Sequence, residues 1–224
     1  MNINITIGDC TTHTGTKTVH NVVILDKSGS MGSIKNSVVE LFNKHVAGVA
    51  SNKDKLNATI SLVTFSSGVD QPLYWKTNVD TAKELSASEY NPSGWTALND
   101  AIGSTLNRLE AEHNSNDEYV VTIITDGMEN YSKEFNVGSI GNMINRLEKQ
   151  GWTITYMGAN VDVKRMANDL RININNVTRW ESTHMGTLDA SKRLIGATAQ
   201  AYSAMNNGSY SNTSYFVDTS ENDN

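Results

Sequence analysis

The chain has 224 residues, a formal net charge of −6, a sequence pI near 5.3 and a single cysteine, Cys10. Because its lysines and arginines do not gather into a basic stripe, the composition argues against a nucleic-acid partner, and one cysteine excludes an internal disulfide. No run of about 18 apolar residues predicts a membrane span and the opening residues do not resemble a signal peptide, so we expect a cytoplasmic protein that binds no membrane.

The N-terminal region leads into the first predicted strand. Residues 1–17 form a predicted separate segment, with isoleucines at alternate positions 3, 5 and 7 as in a strand, followed by a polar loop. An apolar run without alternation then consists of Val19, Val22, Val23, Ile24 and Leu25. Such a run predicts a buried strand of a parallel sheet.

The loop after this strand carries hard oxygen donors. Asp26, Ser28 and Ser30 stand at alternate positions, and one carboxylate with two hydroxyls suits Mg²⁺, Ca²⁺ or Mn²⁺ better than zinc. Gly29 permits the sharp turn that would bring the three side chains to one point. Residues 34–49 carry apolar side chains at helical spacing. The motif is therefore predicted between a strand end and a helix start, where open α/β sheets bind ligands.

The next two predicted strands form a hairpin. Residues 58–65 predict one strand and residues 71–75 a second one, joined by a short polar loop. Pro72 makes the second an edge strand, because proline cannot donate a hydrogen bond to a ladder.

A threonine and a second aspartate follow further along the chain. Thr96 comes after the turn-forming run Asn-Pro-Ser-Gly and before a predicted helix at 98–109, so it is either a site residue or a helix cap. Residues 120–124 form another buried strand, and Asp126 follows its end just as Asp26 follows the first. Two carboxylates in one cleft would repel each other, and a bound divalent cation removes that cost.

The remaining elements complete an α/β domain. Helices are predicted at 140–147, 163–170 and 188–202, and strands at 154–157 and 177–180. This alternation favours a doubly wound, mainly parallel sheet with one antiparallel edge strand, a Rossmann-like arrangement with helices on both faces. Residues 18–205 are predicted to form this single domain, including a C-terminal helix. Residues 206–224, rich in Asn, Ser, Gly and Asp, are predicted to be a disordered polar tail.

The donor residues resemble the metal-ion-dependent adhesion site (MIDAS) of von Willebrand factor A (VWA) domains in order, context and spacing. They are Asp26, Ser28 and Ser30, then Thr96 in GWTAL and Asp126 in ITDG. The resemblance covers residues 18–180. Within it, TITYMGANVDV at 153–163 is most similar to intracellular bacterial or bacteriophage members.

The resemblance implies a role for each donor. Ser28 and Ser30 would coordinate a divalent cation directly, and Asp26 directly or through water. Thr96 would be a direct ligand when the site is engaged, and Asp126 would act mainly through a bridging water. A coordination number of about six leaves a position for an outside group. The expected function is thus binding of a partner protein through an acidic side chain, with Mg²⁺ as the ion and Mn²⁺ or Ca²⁺ as alternatives.

Specificity is expected to come from side chains around the ion. Lys27, Met31, Trp95 and Met128 are predicted to form a partly apolar rim that contacts the partner. The alternative is that the two methionines pack inward and that Trp95 covers the helix end.

The main enzymatic alternative is a haloacid-dehalogenase-like phosphotransferase in which Asp26 is the nucleophile. That chemistry calls for a second acid two residues later, where the chain has Ser28. Glu129 follows the Asp126 motif closely enough in sequence to be considered as a base. It is predicted instead to support the proposed ligands without binding the ion itself, or to lie exposed. We therefore predict no enzymatic activity. A metal-independent VWA-type scaffold, with a merely structural loop, is the non-enzymatic alternative.

Overall fold

The computed structural model describes residues 17–159 and 162–216, which are built around a six-stranded sheet. The strands are β1 (Thr18–Asp26), β2 (Asn57–Phe65), β3 (Tyr74–Asn78), β4 (Glu118–Thr125), β5 (Thr153–Ala159) and β6 (Val177–Trp180). Their order across the sheet is β3-β2-β1-β4-β5-β6, with β3 antiparallel to β2 and every other pair parallel. The predicted fold class is confirmed.

Helices cover both faces of the sheet. They are α1 (Lys35–Asn52), α2 (Leu98–Ala111), α3 (Val137–Lys149), α4 (Val163–Leu170) and α5 (His184–Asn207). Val23 and Leu25 of β1 pack with α1 and α5, whereas Val22 and Ile24 pack with α2 and α3. Since helices bury both faces of β1, its sequence does not alternate between apolar and polar residues. Among the described residues, no helix combines the length and apolarity needed to cross a membrane.

The edge strand begins later than predicted. The sequence predicted residues 71–75, whereas β3 pairs with β2 from Tyr74 opposite Leu62 to Asn78 opposite Thr59. Pro72 has no N–H to donate, so regular pairing starts after it. The strand lies at the sheet edge, as predicted.

The C-terminal segment packs against the domain, although its polar composition predicted disorder from residue 206. Tyr215 is buried, and its N–H donates to Asn176 Oδ1 at 2.8 Å. The Asn212 side chain donates to the Glu148 and Trp152 carbonyls at 2.8 and 3.0 Å. Asn212 and the buried Tyr215 thus anchor residues 208–216. Residues 1–16 and 217–224, which hold the predicted N-terminal segment and the end of the predicted tail, lie outside the described residues.

The strand order reverses between β1 and β4. The chain moves from β1 outward to β2 and β3 on one side, and from β4 to β5 and β6 on the other. This reversal leaves a crevice at the carboxyl ends of β1 and β4, where open α/β sheets bind ligands. Asp26 is the last residue of β1, and Asp126 directly follows the last residue of β4.

Candidate metal site

Asp26 is held by hydrogen bonds to both of its carboxylate oxygens. The Ser28 N–H donates to Oδ1 and the Thr125 hydroxyl donates to Oδ2, each at 2.6 Å. Burial raises the pKa of Asp26; the bonds from Thr125 and Ser28 oppose this shift, and the nearby Asp126 carboxylate adds to it. A fully buried carboxylate is thereby fixed at the crevice.

Ser28 and Ser30 link Asp26 to Asp126. Ser28 Oγ lies 3.2 Å from Ser30 Oγ, and Ser30 Oγ donates to Asp126 Oδ1 at 2.6 Å. Ser28 is buried whereas Ser30 is exposed. The cluster therefore opens to solvent on the Ser30 side.

Thr96 reaches the same cluster from a loop that is bonded to both neighbouring loops. The Gly29 N–H donates to the Gly94 carbonyl at 3.1 Å, and the Thr96 N–H donates to Asn130 Oδ1 at 2.9 Å. Ala97 is the N-cap residue of α2, and no side chain caps the helix there. The interpretation of Thr96 as a helix cap is therefore wrong.

Gly127 marks the point where the donors converge. A Cβ placed on it would lie 3.4 Å from Thr96 Oγ1, 3.9 Å from Ser30 Oγ and 4.0 Å from Asp26 Oδ2. With Ser28 and Asp126 hydrogen-bonded to the same group, all five predicted residues come together at the crevice. The small space beside Gly127 is lined by hydroxyl and carboxylate oxygens, the donors that hard divalent cations prefer.

Neither carboxylate has a cationic partner in the part of the chain that is described. No lysine, arginine or histidine there forms an ion pair with Asp26 or Asp126, and the adjacent Lys27 pairs with Asp70 at 2.6 Å. Asp126 is only 8% exposed. Two buried carboxylates without a counter-charge are costly, and a divalent cation would offset that cost.

The donor set also indicates which class of metal fits. Within residues 17–159 and 162–216, no group of three or more His, Cys, Asp and Glu side chains is placed to hold a metal ion. Three of the five converging residues instead carry neutral hydroxyls. This chemistry fits Mg²⁺, Mn²⁺ or Ca²⁺ better than a structural zinc site.

Glu129 stabilises the backbone around the site by accepting hydrogen bonds. Its Oε1 accepts the N–H groups of Tyr131 and Ser132 at 2.8 and 2.6 Å, and its Oε2 accepts the Asn99 N–H at 2.8 Å. The side chain thus ties the segment after β4 to the first turn of α2. With its oxygens engaged in this way, Glu129 is poorly placed to act as a base.

Ser182 also touches the cluster, which sequence reasoning missed. It lies between β6 and α5, and its hydroxyl donates to Asp126 Oδ2 at 3.1 Å across a sequence separation of 56 residues. A serine in a polar loop carries no signal of such a contact. Only the position of β6 in the sheet brings it near.

The predicted rim is present only in part. Met31 is fully buried, because the 3₁₀ turn Gly29–Ile34 directs its side chain into the core, so its assignment to the rim was wrong. Lys27 is half-buried and paired with Asp70. Trp95 is 61% and Met128 66% exposed. Trp95 stacks on Tyr131 with 6.4 Å between ring centroids.

The chain matches one protein family and is similar to several solved structures. The model of the von Willebrand factor type A domain matches residues 22–190, and a search of curated proteins found no match. One similar structure is proximal thread matrix protein 1 from the mussel byssus with a zinc-occupied MIDAS motif (17% identity, TM-score 0.56, 82% of this chain and 46% of that chain). A second is manganese-loaded TRAP protein from Plasmodium vivax (15% identity, TM-score 0.55, 82% and 74%).

A third similar structure is the vWF domain of the type V pili tip protein Mfa5 from Porphyromonas gingivalis (12% identity, TM-score 0.59, 87% and 97%). In another structure of the mussel protein, this chain covers 47% of that protein's chain, so it spans about half of its length. At these identities the likeness shows the fold alone. The family model, however, matches more than half of the chain. The chain therefore belongs to the von Willebrand factor type A domain family.

Proposed function

We propose that the chain is a divalent-cation-dependent protein-binding domain. The observation that carries this proposal is the pair of buried carboxylates, Asp26 and Asp126, which have no cationic partner in the described residues and converge with three hydroxyls. Membership of the VWA family supports it, as do the zinc-occupied and manganese-loaded structures of similar fold.

Each donor has a proposed role in holding the ion. Ser28, Ser30 and Thr96 offer neutral hydroxyl oxygens, while Asp26 and Asp126 supply only two formal negative charges and leave a bound cation electrophilic. We propose Mg²⁺ as that ion because every donor is a hard oxygen, with Mn²⁺ and Ca²⁺ as alternatives.

A bound cation would supply a coordination position for an oxygen ligand from outside. Because three of the five donors are neutral, a carboxylate of a partner protein is the favoured outside ligand. The exposed side of the cluster at Ser30 leaves room for its approach, beside Trp95 and Met128.

The surroundings of Asp26 lack a group that the phosphotransferase alternative requires. Both oxygens of Asp26 accept hydrogen bonds from the chain itself, which fix the carboxylate at the crevice. Ser28 stands where a leaving-group acid would be required. We therefore propose a binding role without catalysis, and we place it in the cytoplasm on the composition of the chain.

Affinity capture with matched serine variants in Mg²⁺ tests the proposal. Ser30→Ala removes a proposed ligand, whereas Ser33→Ala removes an exposed hydroxyl of the same turn that contacts only the Ser30 carbonyl, at 3.5 Å. We expect partner proteins to bind the wild type and Ser33→Ala, to be released by EDTA, and to be missing from Ser30→Ala.

Two outcomes would favour the alternatives. Partners that remain bound in EDTA and to Ser30→Ala would indicate a metal-independent scaffold. Metal-dependent hydrolysis of a generic aryl phosphate, abolished in Asp26→Asn, would indicate an enzyme.

A further inference from the structure

A groove with a volume of about 580 Å³ lies beside the candidate metal site. It runs between the segment that follows β4 and helix α4, and its apolar lining consists of Met128, Phe135, Val137 and Met166. Met128 directly follows Gly127, where an added Cβ would lie within 4.0 Å of three of the proposed ligands. The groove therefore begins at the edge of the site.

One wall of the groove is fixed by hydrogen bonds to Asp100. The carboxylate of this residue accepts the N–H groups of Lys133, Glu134 and Phe135 at 2.8 to 2.9 Å. The Phe135 ring lies against Gly103 of α2, where a Cβ would come within 2.5 Å of the ring. The wall is thus formed before any partner binds.

Apolar exposure is concentrated around this groove and the site. Of the eight large apolar side chains that are exposed among the described residues, four are Trp95, Met128, Tyr131 and Val137. Met128 and Val137 line the groove and are 66% and 41% exposed. Such clustering marks interaction surfaces, whereas single exposed apolar residues are ordinary.

The charges of the groove restrict what can enter it. Its lining includes three carboxylates, on Glu129, Asp162 and Asp169, and one guanidinium, on Arg165. Arg165 already lies 3.6 Å from Asp169. The lining therefore carries a formal charge of −2, which repels an acidic side chain and favours an apolar residue accompanied by a basic one.

We propose that this groove receives an apolar side chain from the same partner segment whose carboxylate binds at the metal site. The inference rests on the proposed function and adds the chemistry of the partner: an acidic residue, a large apolar residue and a basic residue close together in an extended segment. The groove volume is typical of pockets that bind small ligands. Because Met128 of its lining adjoins Gly127, a segment extended at about 3.3 Å per residue can place nearby side chains in the groove and at the metal site.

A displayed library of random peptides, selected on the full chain in Mg²⁺ and eluted with EDTA, tests this inference. Selected peptides are then titrated against the wild type, Val137→Asp and Ile174→Asp. Val137 is the first residue of α3, where an aspartate suits the helix dipole, so the variant should fold. Ile174 is a matched exposed apolar residue in the turn before β6, at the amino ends of the parallel strands, whereas the metal site is at their carboxyl ends.

We expect the eluted peptides to combine an acidic residue with a nearby apolar one and a basic one. Val137→Asp should weaken their binding about tenfold or more, because a carboxylate would have to be buried against the apolar side chain that the groove receives, while Ile174→Asp should have no effect. A calorimetric titration should show the same Mg²⁺ affinity for all three proteins.

The outcomes distinguish a failure of the groove inference from a failure of the proposed function. The groove inference is wrong if Mg²⁺ binds but the eluted peptides have equal affinity for the wild type and Val137→Asp. It is also wrong if the peptides share only an acidic residue, or if no peptide is enriched. In each case the proposed metal site is not contradicted. If the wild type does not bind Mg²⁺, the proposed function is wrong and the inference falls with it.

Discussion

Gly127 is the residue on which the shape of the candidate site depends most directly. Its missing side chain leaves a space bordered by oxygens of Thr96, Ser30 and Asp26. A methyl group there would keep ordinary contact distances, the nearest being 3.4 Å, so the fold should tolerate it. It would nevertheless occupy the space in which those oxygens converge.

We therefore expect Gly127→Ala to weaken Mg²⁺ binding about tenfold, or by about 1.4 kcal/mol, with an unchanged unfolding midpoint in EDTA. Calorimetric titration and thermal unfolding measure the two effects. Gly32→Ala is the control, because no atom lies within 4 Å of its added Cβ. Equal Mg²⁺ affinity in both variants would show that the ion does not bind beside Gly127.

Trp95 lies next to Thr96 and is the largest exposed side chain near the site, at 61% exposure. Trp95→Ala should weaken partner binding about tenfold by removing aromatic contact area, with Mg²⁺ affinity retained. Titration of a captured partner measures this, with Ile174→Ala as the matched exposed control. Unchanged partner affinity would remove Trp95 from the interface.

At the level of single residues, sequence reasoning succeeded where spacing and strand ends determine position. Asp26 and Asp126 each follow an apolar run, so their meeting at one sheet edge could be predicted. Met31 was misassigned because its direction depends on the backbone of a 3₁₀ turn. Ser182 could not be found, because its contact with Asp126 arises only from the sheet order.

At the level of elements, α1 and α5 meet through a buried polar contact that makes the fold sensitive to acid. His45 on α1 is fully buried, and its Nδ1 lies 3.4 Å from Thr198 Oγ1 on α5. Burial lowers the pKa of His45 from 6.5 to about 4. The unfolded chain therefore binds a proton between these pH values that the folded chain does not.

Stability from neutral His45 should be complete above pH 6.5 and fall as the pH drops toward 4. At pH 5 the wild type should have lost about 2 kcal/mol from this group. His45→Gln lacks this titration, so denaturant unfolding should show its stability deficit shrinking between pH 7 and pH 5. A deficit that stays constant with pH would contradict the assignment.

Elements with long apolar periodicity were predicted well, and those shaped by local hydrogen bonds were not. The helices and the parallel strands agree in type and place with the pattern of apolar residues. The start of β3 was misplaced because pairing begins only beyond Pro72. Residues 208–216 were predicted to be a disordered tail because most of them are polar. Composition does not show that one aromatic residue among them, Tyr215, is buried against the domain.

At the level of the whole molecule, the fold gathers negative charge at one edge of the sheet. Asp26 and Asp126 are buried there, and the carboxylates of the neighbouring groove add to them. The domain should therefore gain stability from a cation that binds the folded state and not the unfolded chain. At a Mg²⁺ concentration 100 times the dissociation constant, the gain should be about 2.7 kcal/mol, or about 8 °C in the unfolding midpoint.

Thermal unfolding of the wild type and Ser30→Ala, in EDTA and in saturating Mg²⁺, tests the central claim most directly. We predict that Mg²⁺ raises the wild-type midpoint by about 8 °C and raises that of Ser30→Ala by much less. Equal wild-type midpoints in EDTA and in saturating Mg²⁺ would contradict the presence of a cation site at the ends of β1 and β4.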